Sequence, residues 1–165
     1  MKNNLSAFAT QPSRRQFLAA SVALSGAMLV PNILRAETPI MSAPEAQAAI
    51  NSGEMILLDI RSREEWLETG VAEGAWPVSL HTAQFGAELS AILKKFSDRK
   101  VGLICATGGR TSYVTEILAK NGITDVVDVS EGMLGNPRGP GWIARKLPVV
   151  DLDAAMTVYT QEISQ

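Results

Sequence analysis

The stretch KVGLICATGGRTSYVTEILAKNG, Lys100–Gly122, decides the fold of this chain. It opens on KVGLI, an apolar run at strand length, and closes on SYVTEILAKNG, whose spacing and terminal Gly122 predict a helix. Between them lies CATGGR, with the chain's only cysteine, Cys105, followed by Gly108, Gly109 and Arg110. A strand that turns through two glycines into a helix is half of a parallel crossover unit.

The same alternation extends in both directions. SAPEAQAAINSG begins with Ser42 and has Glu45 three residues later, the reciprocal capping arrangement of a helix start, and Gly53 ends it. EMILLDI is apolar without polar alternation, as in a strand buried on both faces in the middle of a parallel sheet. SREEWLETG repeats the capping logic with Ser62, Glu65 and a terminating Gly70. AWPVSL is a further strand whose Pro77 marks an irregular start or a sheet edge. Phe85, Leu89, Ile92, Leu93 and Phe96 fall on one face of a helix, and DVVDVS is another strand. Strands alternating with helices predict a doubly wound or similarly layered α/β domain. The Gly- and Pro-rich EGMLGNPRGPGW is an ordered loop, and DLDAAMTVYTQEISQ is a terminal helix or a loosely held tail. The expected divisions are a targeting segment 1–36, the α/β domain 37–150 and a tail 151–165.

With 165 residues, 46% of them hydrophobic, the chain has room for one domain with a real core. A net charge of −2 offers no basic surface for a nucleic-acid backbone. The N-terminus reads differently. Leu18 to Val30 is uncharged but shorter than the roughly 20 apolar residues a membrane helix needs, so no stable span is expected. Ser13, Arg14, Arg15, Phe17 and Leu18 resemble the twin-arginine export signal, which implies the export machinery as a partner, cleavage near Ala36 and a periplasmic location. Cleavage there removes Lys2, Arg14, Arg15 and Arg35 and no acid, leaving a more acidic chain. Cys105 has no second cysteine for an internal disulfide, so it stays available for chemistry.

Ligands of open parallel sheets bind beyond the carboxyl ends of the strands, where Cys105 is expected. Amide N–H groups of Ala106, Thr107, Gly108, Gly109 and Arg110 turned toward one point make an anion cradle, and the helix N-terminus adds its dipole. Such surroundings lower a thiol pKa, and Arg110 adds a fixed cationic fork for an oxyanion. A small buried residue at a strand end is the plainer reading of a lone cysteine. Two glycines and an arginine beside it favour the nucleophile.

CATGGR resembles the active-site loop of the rhodanese sulfurtransferases, Cys-x-x-Gly-x-Arg. LLDIRSREEWLETGVAEGA is similar to that family's earlier signature, Asp-x-Arg followed by Glu-x-x-x-Gly and Gly-Ala, and GWIARKLPV to its closing Trp and Leu-Pro-Val. The resemblance spans most of residues 42–150 with the motifs in the family's order. It implies a rhodanese-like α/β fold, with a central parallel sheet of about five strands and helices on both faces. It also implies that Cys105 carries a sulfane sulfur as a persulfide, taken from a small anionic donor such as thiosulfate and given to a thiol or cyanide, with no cofactor. Two positions depart from the pattern: Val71 stands where the family often has His, and Ala106 where it often has a basic residue. GNPRGP before Trp142 is a longer connection than usual.

Cysteine phosphatases sharing this fold have five residues between Cys and Arg; here there are four, which suits a single sulfur atom better than a phosphate. The alternatives are an exported sulfur carrier or interaction module with little turnover of its own and, behind it, a phosphatase-type enzyme. Asp59 and Arg61 read as a structural ion pair or loop anchor. His81, the only histidine, reads as a loop or helix-start residue, and no zinc cluster is expected. Trp142 and Met133 are placed at the pocket rim, with Leu134 as a further wall residue.

Overall fold

The computed structural model describes residues 38–164. The signal-like segment 1–36, with its arginine pair and expected cleavage point, lies outside the described residues. The elements run β1 (Ile40–Met41), α1 (Ala43–Asn51), β2 (Met55–Asp59), α2 (Arg63–Thr69), β3 (Val71–Ala72), β4 (Trp76–Pro77) and α3 (Phe85–Lys95). They continue with β5 (Lys100–Ile104), α4 (Gly109–Lys120), β6 (Val126–Val129), α5 (Gly141–Ala144), β7 (Val149–Val150) and α6 (Leu152–Ser164).

Five strands form one parallel sheet in the order β1-β6-β5-β2-β4, so the strand that ends at the cysteine is the central one. The expected α/β architecture, parallel sheet and covering helices included, is what the chain adopts. Alternation along β2 explains the sheet's two cores. Met55 and Leu57 point into one cluster with Ala43 and Ala46 of α1, Trp66 of α2 and Trp142 of α5. Ile56 and Leu58 point into the other with Phe85, Leu89 and Ile92 of α3 and Val114 of α4. A strand covered on both faces has no use for polar alternation, which is why EMILLDI reads as it does. Gly102 of β5 leaves room for β2, because a Cβ there would lie 2.9 Å from Met55 Sδ.

Both predicted capping boxes form. Glu45 accepts the Ser42 N–H at 2.8 Å, and Glu65 accepts the Ser62 N–H at 2.9 Å. Pro77 sits in the edge strand β4, where its missing N–H costs least. Three short strands carry no signature in the sequence. β1 is two residues long and defined by its pairing with β6, and β3 and β7 pair antiparallel through Val71–Val150 and Ala72–Val149. Of the two readings of the tail, the helix is correct. As α6 it packs on β4, with Tyr159 5.6 Å from the Trp76 ring and the Lys95 ammonium donating to the Ile163 carbonyl.

Candidate functional site

The Asp-x-Arg segment braces the floor of the site. Asp59 ends β2 and Arg61 follows it, both buried. The Arg61 guanidinium spends its donors on Asp59 (Nε at 2.9 Å, Nη2 at 2.7 Å), Thr69 Oγ1 (2.7 Å) and the Gly70 carbonyl (2.6 Å). The pair therefore clamps β2 to the far end of α2, which is the structural role expected of it.

Cys105 follows β5 at the sheet's carboxyl end, as the strand–glycine–helix pattern requires. The loop after it is tied on both sides. Met133 donates to the Cys105 carbonyl at 2.9 Å and Leu134 to the Ala106 carbonyl at 2.8 Å. Asn136 Nδ2 donates to the carbonyls of Thr107 (2.8 Å) and Ser130 (2.7 Å), so the long GNPRGP connection holds the loop in place. Gly108 takes the left-handed conformation at φ +81°, and a Cβ there would sit 2.0 Å from the Ser130 carbonyl oxygen. Gly109 then opens α4, whose first helical bond is Ser112 N–H to Gly108 O. The N–H groups ahead of that bond have no partner within the helix, which sets the first turn of a twelve-residue helix directly behind the cysteine loop.

Arg110 follows in the first turn of α4. Its Nη1 and Nη2 engage both oxygens of Glu65 at 2.7 and 2.5 Å, and Nη1 also lies 3.2 Å from His81 Nε2. Glu65 strengthens the Arg110 hold on its proton, and Cys105 contributes in the same direction, which places the cation in electrostatic reach of the sulfur. Cys105 itself is only 1% exposed. The Glu65–Arg110–His81 group joins three separate segments beside the buried Cys105.

The residues expected at the site, Cys105, Ala106, Thr107, Gly108, Gly109 and Arg110, run from the end of β5 into the first turn of α4. The sequence assigns Glu65 only a cap and His81 only a loop position. Glu65 performs both jobs, since the oxygen that accepts from the Ser62 N–H also accepts from Arg110. Trp142 and Met133 are a correction. Both are fully buried in the cluster on the sheet face opposite the sulfur, and the Trp142 indole N–H donates to the Pro148 carbonyl at 2.9 Å. They support the connection rather than line the pocket, and Leu134 lies exposed at the surface. Behind them, buried Glu131 accepts from Ala43 N–H (2.7 Å), Gly141 N–H (3.0 Å) and Arg145 Nε (2.9 Å), joining α1, α5 and the loop. Among the described residues, no group of three or more His, Cys, Asp or Glu is placed to hold a metal ion.

Glu65 gives the site a pH signature. Arg110 foremost, helped by the Ser62 N–H and opposed by burial, pulls its carboxyl down to about 2 from an ordinary 4.5. A depressed folded-state pKa stabilises the fold above the unfolded value and loses that contribution as pH falls through the folded one. Stability of the parent should therefore fall between pH 4.5 and about 2 more steeply than that of Glu65→Gln. Denaturant midpoints across that range measure it, and parallel curves would contradict the assignment.

The rhodanese-like domain model matches residues 42–135, more than half of the chain. This chain belongs to the rhodanese-like family. An uncharacterized protein of Rickettsia prowazekii is 25% identical over 115 residues, spanning 66% of this chain and 94% of its own. Among solved structures, the thiosulfate sulfurtransferase of Pseudomonas aeruginosa superposes with a TM-score of 0.52 at 26% identity, over 69% of this chain and 20% of that one. The rhodanese-like domain of an Anabaena protein gives a TM-score of 0.54 at 20% identity, over 72% and 83%, and shares the fold. The rhodanese-like match runs from the Ser42 cap of α1 through the turn that follows β6, the span that contains the cysteine loop, Glu65 and His81.

Proposed function

We propose that this rhodanese-like chain is a sulfurtransferase that moves a sulfane sulfur from an anionic donor such as thiosulfate to a thiophilic acceptor through a persulfide on Cys105. The observation that carries the reading is the loop itself: one sulfur at a strand end, a four-residue cradle closed by Arg110, and the free first turn of α4 behind it. The Cys105 thiolate attacks the outer sulfur of thiosulfate. The donor's S–S bond breaks, sulfite departs with the electron pair, and the sulfane sulfur stays on Cys105. Amides of residues 106–110 and the helix dipole stabilise the persulfide anion. Cyanide or a thiolate then attacks the sulfane sulfur and releases the Cys105 thiolate. No step uses a metal or an organic cofactor.

Arg110 is the group that holds the donor's charge, which requires its fork to turn from Glu65. Arg110→Ala should raise the KM for thiosulfate at least about tenfold, the loss of a charge-assisted contact of ~1.5–3 kcal/mol. Thiocyanate formation at varied thiosulfate reads this directly. A KM at the parent value in a folded variant would remove the anion-site role.

One observation favours a dedicated-carrier variant of the same chemistry. Cys105 is nearly closed off, while Thr107, Gly108 and Gly109 also line a surface groove of about 600 Å³ with Tyr113, Asn136 and Arg138. A partner docked there would open the mouth, and slow turnover with small acceptors would be its sign. We also propose that Arg14 and Arg15 direct export to the periplasm by the twin-arginine route. Replacing both with Lys should abolish periplasmic accumulation, and unchanged accumulation would end that proposal.

A further inference from the structure

Beneath the cysteine loop lies an acid that the sulfur chemistry above does not use. Asp128 is in β6, beside β5 and in register with Leu103. Its flanking residues Val127 and Val129 point to the other face, so its carboxyl shares with Leu103 and Cys105 the face covered by α3 and α4. It is 3% exposed, and its Oδ1 has no hydrogen-bond partner among the described residues. An orphaned carboxylate oxygen in such a place is costly.

Its polar neighbour in the interior is Thr111, which follows Arg110 and is itself fully buried. Thr111 Oγ1 also meets the nucleophile. It accepts from the Cys105 thiol at 3.9 Å and donates to the Gly108 carbonyl at 2.9 Å. Thr111 therefore stands between the acid and the sulfur. The charged groups facing this column are few: Arg138 acts on Asp128 from the 135–140 connection, and Arg110, itself held by Glu65 and His81, acts on Cys105.

We propose that Asp128 is a positioning residue for the Cys105 sulfur, its carboxyl O–H donating a hydrogen bond to Thr111 Oγ1 and keeping its proton, so that the Thr111 hydroxyl is free to donate to the sulfur anion. A hydroxyl has one proton and two lone pairs. While Cys105 is a thiol, Thr111 accepts from it and donates to Gly108 O. Once Cys105 is a thiolate or persulfide anion, the hydroxyl turns to donate to sulfur, and the Asp128 O–H satisfies the lone pair left behind. An ionised Asp128 would compete for that same proton and repel the sulfur's charge. Burial pushes the Asp128 carboxyl up, the direction that favours its protonated form, with Thr111 and Arg138 opposing. The loop amides then hold the sulfur anion from above and this column from below.

This inference rests on Cys105 being the sulfur carrier, and its test reads the thiol separately from sulfur transfer. The probe is iodoacetamide alkylation of Cys105 in the full chain, followed across pH for the parent, Asp128→Asn, Asp128→Leu and Thr111→Val. Asp128→Asn, neutral and still a donor, should keep the parent midpoint. Asp128→Leu and Thr111→Val should raise it by about one unit, roughly a tenfold loss of thiolate at neutral pH. A midpoint that stays or falls in Asp128→Leu overturns the proposal, as does Asp128→Asn shifting as far as Asp128→Leu. If Asp128→Leu does not fold, Asp128→Ala takes its place, with the same rise expected and an unmoved midpoint overturning the proposal. Shifts as expected with no persulfide on sulfane donors would uphold the positioning role and sink the sulfurtransferase reading alone.

Discussion

Replacing Asp59 with alanine is expected to destabilise the fold by about 3–5 kcal/mol, a large share of the ~5–15 kcal/mol that holds a domain of this size together. The cost arises from what remains. Arg61, 1% exposed, would keep Thr69 Oγ1 and the Gly70 carbonyl but lose both oxygens that balance its charge. A guanidinium left without its counter-charge in the interior is the costly species, more than the lost hydrogen bonds. Removing both charges as Asp59→Leu with Arg61→Met should therefore cost less than Asp59→Ala alone. Urea denaturation of the three proteins measures this. A double variant at least as unstable as the single one would mean that the side chains matter for their shape and not for their charge.

Gly108→Ala is expected to cut persulfide formation by about a hundredfold while leaving the protein folded, because a displacement of ~1 Å at the reacting group is enough for that loss. Its Cβ would stand 2.0 Å from the Ser130 carbonyl oxygen and 3.0 Å from Asn136 Nδ2, and φ +81° strains any residue with a Cβ. The obstacle is backbone, so no rotamer change relieves it and the loop has to move. Both cores lie elsewhere and keep the fold. Gly109→Ala is the control one residue on: nothing lies within 4 Å of its Cβ, and it opens a helix that alanine favours. Single-turnover sulfur loading should separate the two variants. Equal rates would show that the loop's shape does not limit the reaction.

What was legible in the sequence follows from how local each signal is. The capping serines with Glu45 and Glu65, the unalternating EMILLDI and the turn through Gly108 and Gly109 each state a backbone conformation within a few residues. Together they fix an α/β order; that β5 takes the centre of the sheet, with β2 beside it, depends on the crossovers and is stated by no local pattern. β1, β3 and β7 are two-residue pieces that exist only as partners of other strands, so no short-range pattern marks them. The burial of Trp142 and Met133 is not legible locally, because Gly- and Pro-rich sequence announces a turn without saying which way its apolar side chains face. They turned inward, where Trp142 finds both a core and a carbonyl for its indole.

The Glu65–Arg110–His81 group was hidden for the opposite reason. Each residue had a sufficient local explanation, and their meeting depends on how α2, the segment before α3 and the cysteine loop converge. Asp128 carried a signal that went unused: an acid in the middle of the apolar strand VVDV contradicts its surroundings. Such a local conflict often marks a functional position.

The measurement that tests the central claim most directly is the intact mass of the purified protein after exposure to thiosulfate, beside a Cys105→Ser variant treated alike. The account predicts a gain of one sulfur atom, removed by cyanide and missing from the variant. A folded protein that gains nothing from thiosulfate or any other sulfane donor, or a gain that persists without Cys105, would contradict it.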